Sequence, residues 1–393
     1  MLGKQIVRTR TYLDCNATHP LLPEAKAAML AALECVGNPS SVHAEGRAAR
    51  GGIDLARTQI ATLVNAKSDH VIFTSGATEA ANLVLTPFWQ MGRAKLTMSK
   101  LYVSATEHPS VLAGGRFAVD NTEILLVLPS GELDLGALEQ VLAAHDRESG
   151  VPLVAVQHAN NETGVIQPIA AVAAIVKAHG GVLVVDAVQT YGRIPLDITK
   201  DCGDFFIVSS HKIGGPKGAG ALIGVTDLVM PKSLMRGGGQ EKGYRGGTEA
   251  LPAIAGFGAA AHACTARAAL LERVRAMSAA VQETILSVDA RAIIHGITAY
   301  ERLPNTVFFS IPGLKSETAH IAFDLAGIAL SSGSACSSGK VGPSHVLKAM
   351  GFHEAEGALR VSLCLETSDA DIAAFGAALK MIAARRTTTR FAA

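Results

Sequence analysis

Lys212 sits in Ser209-Ser210-His211-Lys212-Ile213-Gly214-Gly215-Pro216, directly behind the apolar run 204–208. A lysine emerging from a buried strand is partly desolvated, which favours the neutral amine and frees it for Schiff-base chemistry with a carbonyl. An ordinary solvated loop lysine is the other reading, and it suits Lys217 better. The second chemical candidate is Cys336, in Ser331-Ser332-Gly333-Ser334-Ala335-Cys336-Ser337-Ser338-Gly339. That stretch has almost no side-chain bulk with which to pack, so it is expected to be mobile, and a cysteine carried on it reads as a reactive thiol. Cys15, Cys35, Cys202, Cys264 and Cys364 read instead as small hydrophobic or half-buried residues.

Other polar groups follow apolar runs in the same manner. Gly76-Ala77-Thr78-Glu79 follows 71–75 and opens a helix, where free backbone N–H groups and the positive dipole end can hold an anion. A tight turn capped by Thr78 is the alternative. Thr106-Glu107-His108 follows 101–105, and Asn160-Asn161-Glu162-Thr163-Gly164 follows 152–159. Asp186 ends the run 181–186, with Gln189 three residues on. An unpaired carboxylate there is costly, so Asp186 needs either a cation, such as a protonated ring nitrogen, or a role as helix N-cap. No G-x-x-x-x-G-K-[ST] phosphate loop occurs.

These positions imply a scaffold. Apolar β-rich runs at 71–75, 101–105, 123–128, 152–157, 181–186, 204–210 and 220–225 alternate with helix-like stretches at 77–90, 109–118, 135–145 and 168–179. Strands apolar throughout are buried on both faces, and this alternation predicts an α/β fold with a mostly parallel central sheet flanked by helices. Ligands in such sheets bind beyond the carboxyl ends of the strands. Outside the centre, 20–35, 46–65, 250–288 and 368–385 read as helices, the last capped by Ser368, and 305–311 and 360–364 as strands. The expected division is a large domain over 16–255 and a smaller α+β domain from 1–15 plus 256–393.

Bulk properties narrow the function. The 393 residues are 49% hydrophobic and 18% charged with a formal net charge of +1, which gives no electrostatic case for nucleic acid or an anionic membrane. No apolar run reaches the ~18 residues that span a bilayer, and the first residues lack the apolar core of a secretory signal. The six cysteines are scattered, with no C-x-x-C pair and no histidine cluster. That spacing argues against a zinc site and against disulfides, and leads to the expectation of a soluble, cytoplasmic protein.

Taken together, Ser75–Glu79, Thr106–His108, Asn160–Gly164, Val184–Gln189, Ser209–Gly218 and Ser331–Gly339 resemble the cysteine desulfurases of the class V aminotransferases. The resemblance runs from Tyr12–Thr18 through Gly37–His43 to the strand near 360, almost the whole chain, and the cysteine loop looks like that of the long-loop group serving iron–sulfur cluster assembly. It implies pyridoxal-phosphate fold type I. Lys212 would carry pyridoxal 5'-phosphate and move the substrate Cα proton. Asp186 would pair with the pyridine nitrogen, His108 would stack on the ring and act catalytically by transferring protons, and Gln189 and Asn161 would contact ring or substrate. Ala77, Thr78, Ser209 and His211 would hold the phosphate. Thr248 would reach the phosphate of the other subunit, implying a homodimer. Arg360 and Asn38 would bind the carboxylate of L-cysteine, and Cys336 would take the sulfur as a persulfide for an acceptor protein, whether scaffold or carrier. Cys15 stands where many relatives have an aromatic residue, and the short tail RRTTTRFAA leaves scaffold docking at that end in doubt.

Two rival functions are compatible with parts of this pattern. Another enzyme of the same fold is one: an aminotransferase or a kynureninase-like hydrolase needs no cysteine in a Ser/Gly loop, whereas a selenocysteine lyase does not differ in that respect. The other is a non-catalytic sulfur-transfer partner, which the presence of Lys212, Cys336 and Arg360 together disfavours.

Overall fold

The computed structural model describes residues 10–200, 203–332, 344–352 and 357–390; Cys202 and Cys336 lie outside them. Its centre is a nine-stranded sheet in the order Val229–Pro231, Phe88–Met91, Ala94–Ser104, Val151–Gln157, Val182–Asp186, Phe205–Ser209, Gly220–Gly224 and Val71–Thr74, with Thr122–Leu125 also paired to Ala94–Ser104. The pairings from Thr122–Leu125 across to Phe205–Ser209 are parallel, and the others are antiparallel.

Alternate residues of each central strand feed different cores, as a side-chain period of two requires. Val154, Val156, Leu183, Val185, Phe206 and Val208 join one apolar cluster with the Ala44–Thr62 and Leu251–Thr265 helices. Leu153, Ala155, Val184, Phe205 and Ile207 join the other, with the Ala77–Val84 helix. Both faces are therefore dry, and the polar residues of these strands are left to collect at their ends. A separate core forms where Leu13 meets residues from Val274 to Ile382, around a four-stranded sheet that pairs Thr306–Ser310 with Leu359–Ser362. Among the described residues no helix is long and apolar enough to cross a membrane.

Several elements differ from the sequence expectations. The helix expected over 77–90 ends at Val84, because Thr86-Pro87 cannot continue it. Residues Phe88–Met91 then form a hairpin with Ala94–Ser104, turning at Gly92 with φ +58°. The helix expected over 109–118 is only Pro109–Leu112, since Gly115 has φ +58° and a Cβ there would lie 2.4 Å from the Leu85 carbonyl oxygen. The Ala-rich stretch 250–288 is two helices, Leu251–Thr265 and Leu271–Val288. Ser368 does cap the final helix: its Oγ accepts from Asp371 N–H, and Asp371 accepts from Ser368 N–H.

The cysteine expectation also needs correction. Cys15 and Cys364, 349 residues apart, form a disulfide with Cα atoms 5.5 Å apart, and His19 converges on the pair. Sequence spacing hid this because the contact arises only when Thr11–Tyr12 pair with Ile328–Ala329 and Asp14 bridges to Ser362 of the four-stranded sheet.

Candidate active site

The central strands end around a cavity of about 460 Å³, within the range of small-molecule sites. Lys212 reaches it from the turn after Phe205–Ser209, and its Nζ donates to the carbonyls of Asn16 at 2.7 Å and Ala17 at 3.0 Å. Asp186 lines the cavity from the end of the neighbouring strand. Its carboxyl is raised to about 6 by burial, against the lowering effects of the Val188 N–H, which donates at 2.9 Å, and the Lys212 charge. A buried carboxylate whose charge is penalised by burial favours any cation that enters the cavity.

His108 caps the Pro109–Leu112 turn, and its Nδ1 accepts from Ser110 N–H at 3.2 Å. Burial and the nearby Lys212 charge lower it to about 4. The ring is therefore neutral at pH 7 and carries its proton on Nε2, a state suited to stacking. His211 is likewise lowered to about 4 by burial first, then Lys212, and its Nδ1 lies 3.0 Å from Thr18 Oγ1.

A helix start closes one end. Ala77 and Thr78 open the Ala77–Val84 helix, and both line the cavity with Ser209 and His211. Gly220 passes close behind this turn: a Cβ there would lie 2.7 Å from the Gly76 backbone. Glu79 fixes the turn by accepting from Ser75 N–H at 2.8 Å and from Arg245 Nε at 3.0 Å.

Asn161 and Gln189 also line the cavity. Arg360, 3% exposed, lies beside it, donating to the Asn161 carbonyl at 2.8 Å and to Asp14 at 2.7 Å. Asn38 and Thr248 do not reach the cavity of their own chain; both are exposed on loops. Cys336 falls outside the described residues. On the near side of that gap Ser344 donates to buried Glu162 at 2.5 Å, and His345 donates to the Glu107 carbonyl at 2.9 Å.

Four residues at the site were given no role from sequence. Glu107 is fully buried, neither carboxyl oxygen has a partner among the described residues, and burial followed by Asp186 pushes its pKa well above the usual range. Asn16 accepts from Arg193 (2.6 Å) and Asn305 (3.1 Å) through Oδ1, and donates to the Asn161 carbonyl and Thr306. Arg193 in turn bonds Gln189 and the Lys212 carbonyl. Glu162 is raised to about 7 by burial. Glu107, Asn16 and Glu162 each stand inside a motif noted in the sequence, whereas nothing in the sequence singles out Arg193.

The arrangement can hold a flat aromatic cation by Asp186, an anionic tail at the helix start, and a carbonyl at Lys212. Comparison with known proteins shows the family. Residues 11–375 match the family model of the class-V aminotransferases. The chain is 37% identical over 372 residues to a cysteine desulfurase of Gluconacetobacter diazotrophicus, covering 92% of this chain and 90% of that one. It is 38% identical over 369 residues to cysteine desulfurase IscS 1 of Archaeoglobus fulgidus, covering 92% and 94%. A NifS-like protein of Rickettsia africae superposes with a TM-score of 0.83 at 33% identity, over 95% of this chain and 99% of that one.

Proposed function

The chain belongs to the class-V aminotransferases and is a cysteine desulfurase that uses pyridoxal phosphate; from that premise we propose that the strand-end cavity is its active site, with Lys212 holding the cofactor and Cys336 taking sulfur from L-cysteine. The convergence of Lys212, buried Asp186 and neutral His108 on one cavity carries this reading. The residues fit the group: among the described residues Asp186 forms no ion pair closer than 4 Å, and the helix start at Ala77 offers N–H groups to a phosphate.

Bound there, pyridoxal phosphate supplies an electron sink that makes the substrate Cα proton acidic and its Cβ–S bond labile. Asp186 would offer a buried carboxylate to the pyridine nitrogen. His108, being neutral, would lie against the ring without repelling that cation. Gln189, oriented by Arg193, would contact the ring, and Ala77, Thr78, Ser209 and His211 would hold the phosphate. Arg360 receives the substrate carboxylate in competition with Asp14, and Asn161 lies beside that guanidinium. Lys212 removes the Cα proton. The Cys336 thiolate then attacks the substrate sulfur, so that Cβ–S breaks, a Cys336 persulfide forms and the carbon skeleton leaves as alanine.

We place the enzyme in the cytoplasm, delivering the persulfide to an acceptor protein for iron–sulfur cluster or thio-cofactor synthesis. We also propose a homodimer in which Thr248 reaches the partner's phosphate and Asn38 approaches the substrate carboxylate. The outward placement of both residues supports it, as do exposed Leu30, Leu33, Val36 and Val42. The division into 16–255 and 1–15 plus 256–393 remains our reading of the domains.

The test compares the purified protein with Cys336→Ala. An absorbance band near ~420 nm from the lysine-bound cofactor, with alanine and sulfide formed from L-cysteine only when Cys336 is present, is the expected result. Equal turnover by both proteins would remove the persulfide mechanism, and no band after reconstitution would remove the cofactor site.

A further inference from the structure

The Cys15–Cys364 pair is used by none of this chemistry, yet it lies next to the Schiff-base lysine. Both residues are buried, and both sulfur atoms and a His19 ring nitrogen lie within 4.8 Å of one another. The Cα separation of 5.5 Å is within the range that disulfides span. An imidazole beside two thiols favours the thiolate, the form that reacts in disulfide exchange and with peroxides. His19 is held for this position: Nδ1 donates to the Pro20 carbonyl at 2.8 Å, and Nε2 lies 3.3 Å from Glu366.

The pair adjoins an open cleft. A void of about 40 Å³ is lined by Cys15, His19 and Cys364, and it shares Gly192, Arg193 and Arg267 with a cleft of about 230 Å³. Cys264 lines both, and its thiol is pushed up to about 11 by burial.

The consequence runs through Asn16. Its backbone follows Cys15 directly, and its carbonyl accepts from Lys212 Nζ and from Gln189. On the other strand, Asn305 bridges the Leu363 carbonyl, next to Cys364, to Asn16 Oδ1. The disulfide therefore ties together the two segments that position Asn16. Once the bond opens, that covalent tie is lost and the segments are held by hydrogen bonds, the Asp14–Arg360 ion pair and the packing of Leu13.

We propose that Cys15 and Cys364 are a reversible dithiol–disulfide modification site that sets the position of Asn16 and, through it, the environment of Lys212. Oxidation by a hydroperoxide balances as two thiols plus one peroxide giving the disulfide and two waters (one water and one alcohol for an organic peroxide). The first thiolate is oxidised to a sulfenic acid, and the second displaces hydroxide from that sulfur. Reduction by a small dithiol exchanges the bond, leaving both cysteines as thiols and the dithiol as its cyclic disulfide. In a reducing compartment a disulfide that cycles is the expected kind.

The experiment is differential alkylation of the native holoenzyme with peptide mass spectrometry, after treatment with dithiothreitol and then with one equivalent of hydrogen peroxide. Reduced protein should gain an alkyl group on each of Cys15 and Cys364, and peroxide should abolish both additions and yield the linked peptide. The pH at which the cofactor band titrates should shift between the two forms in the native protein, and this shift should vanish in Cys364→Ser and, as a second variant, Cys15→Ser. Three results would overturn the proposal: both thiols still alkylated after peroxide, a linked peptide that survives dithiothreitol in the folded protein, or stoichiometric zinc released as the thiols are alkylated. The alkylation pattern is read without turnover, so failure here is distinguishable from failure of the desulfurase assignment.

Discussion

The Lys212 ammonium is held 2.7 Å from the main-chain carbonyl of Asn16, a residue 196 positions earlier. The same asparagine is buried, and its side-chain oxygen accepts from Arg193 and Asn305 while its amide donates to the Asn161 carbonyl and Thr306. Asn16→Ala strips partners from several buried polar groups at once, each costing about 1–3 kcal/mol when left unsatisfied. We expect a loss of roughly 2–4 kcal/mol in urea unfolding. Turnover should fall as well, because Arg193, which orients Gln189, loses one of its side-chain partners.

Asp186 gives a pH test. Its folded-state pKa, raised to about 6 by burial, lies above the usual carboxylate value, so the cofactor-free fold binds this proton more tightly than the unfolded chain does. The sign follows: the group does not weaken the fold at low pH, and stability is lost as pH rises from about 4 through 6. In the cofactor-free protein Asp186→Asn should therefore raise stability by up to about 3 kcal/mol at pH 7.5 and by about 1 kcal/mol at pH 4.5. Urea melts at the two pH values check this. The same variant should lose most of its turnover with cofactor bound, since it no longer offers an ionised partner to the ring nitrogen.

Why Lys212 and Asp186 were legible in the sequence while Asn16 and Arg193 were not has a physical basis. The strands that carry the first two are apolar on both faces, so any polar residue at their ends stands out against an unbroken run. Asn16 is defined by partners 145 to 290 positions away, and Arg193 looks like any arginine in a loop. The Cys15–Cys364 bond depends on a pairing of the N-terminal segment with the small sheet that no local pattern records. Phe88–Met91 was misread because its apolar residues fit a helix as well as a strand, and only Pro87 and Gly92 mark its limits.

Arg360 offers a specificity test. Its Nη2 is paired with Asp14 at 2.7 Å and its Nη1 with the Asn161 carbonyl at 2.8 Å, so its planar fork is oriented before substrate arrives. Lysine keeps the charge but cannot serve both directions. Arg360→Lys should raise KM for L-cysteine by about 10- to 100-fold, the loss of one strong charge-assisted bond. The cofactor band should be unchanged. Steady-state kinetics beside the absorbance spectrum separate the two.

Ser344 is the first described residue after the gap that contains Cys336, and its hydroxyl donates to Glu162 at 2.5 Å inside the protein. Glu162 has a pKa of about 7 because burial, the largest influence, outweighs the Ser344 bond and the Arg360 charge. Removing the hydroxyl withdraws one of the two influences that hold the carboxylate down, so Ser344→Ala should shift Glu162 further upward and favour its neutral form at pH 7. The bond also fixes the end of the segment bearing the sulfur acceptor. Losing it should lower the rate of Cys336 persulfide formation by about tenfold, equivalent to roughly 1.4 kcal/mol, while the cofactor band formed at Lys212 stays as it was. Rapid-mixing absorbance combined with persulfide alkylation measures the two separately. A variant in which both signals fall together would place Ser344 in the support of the whole cavity, and one in which persulfide formation is unchanged would remove it from the positioning of Cys336.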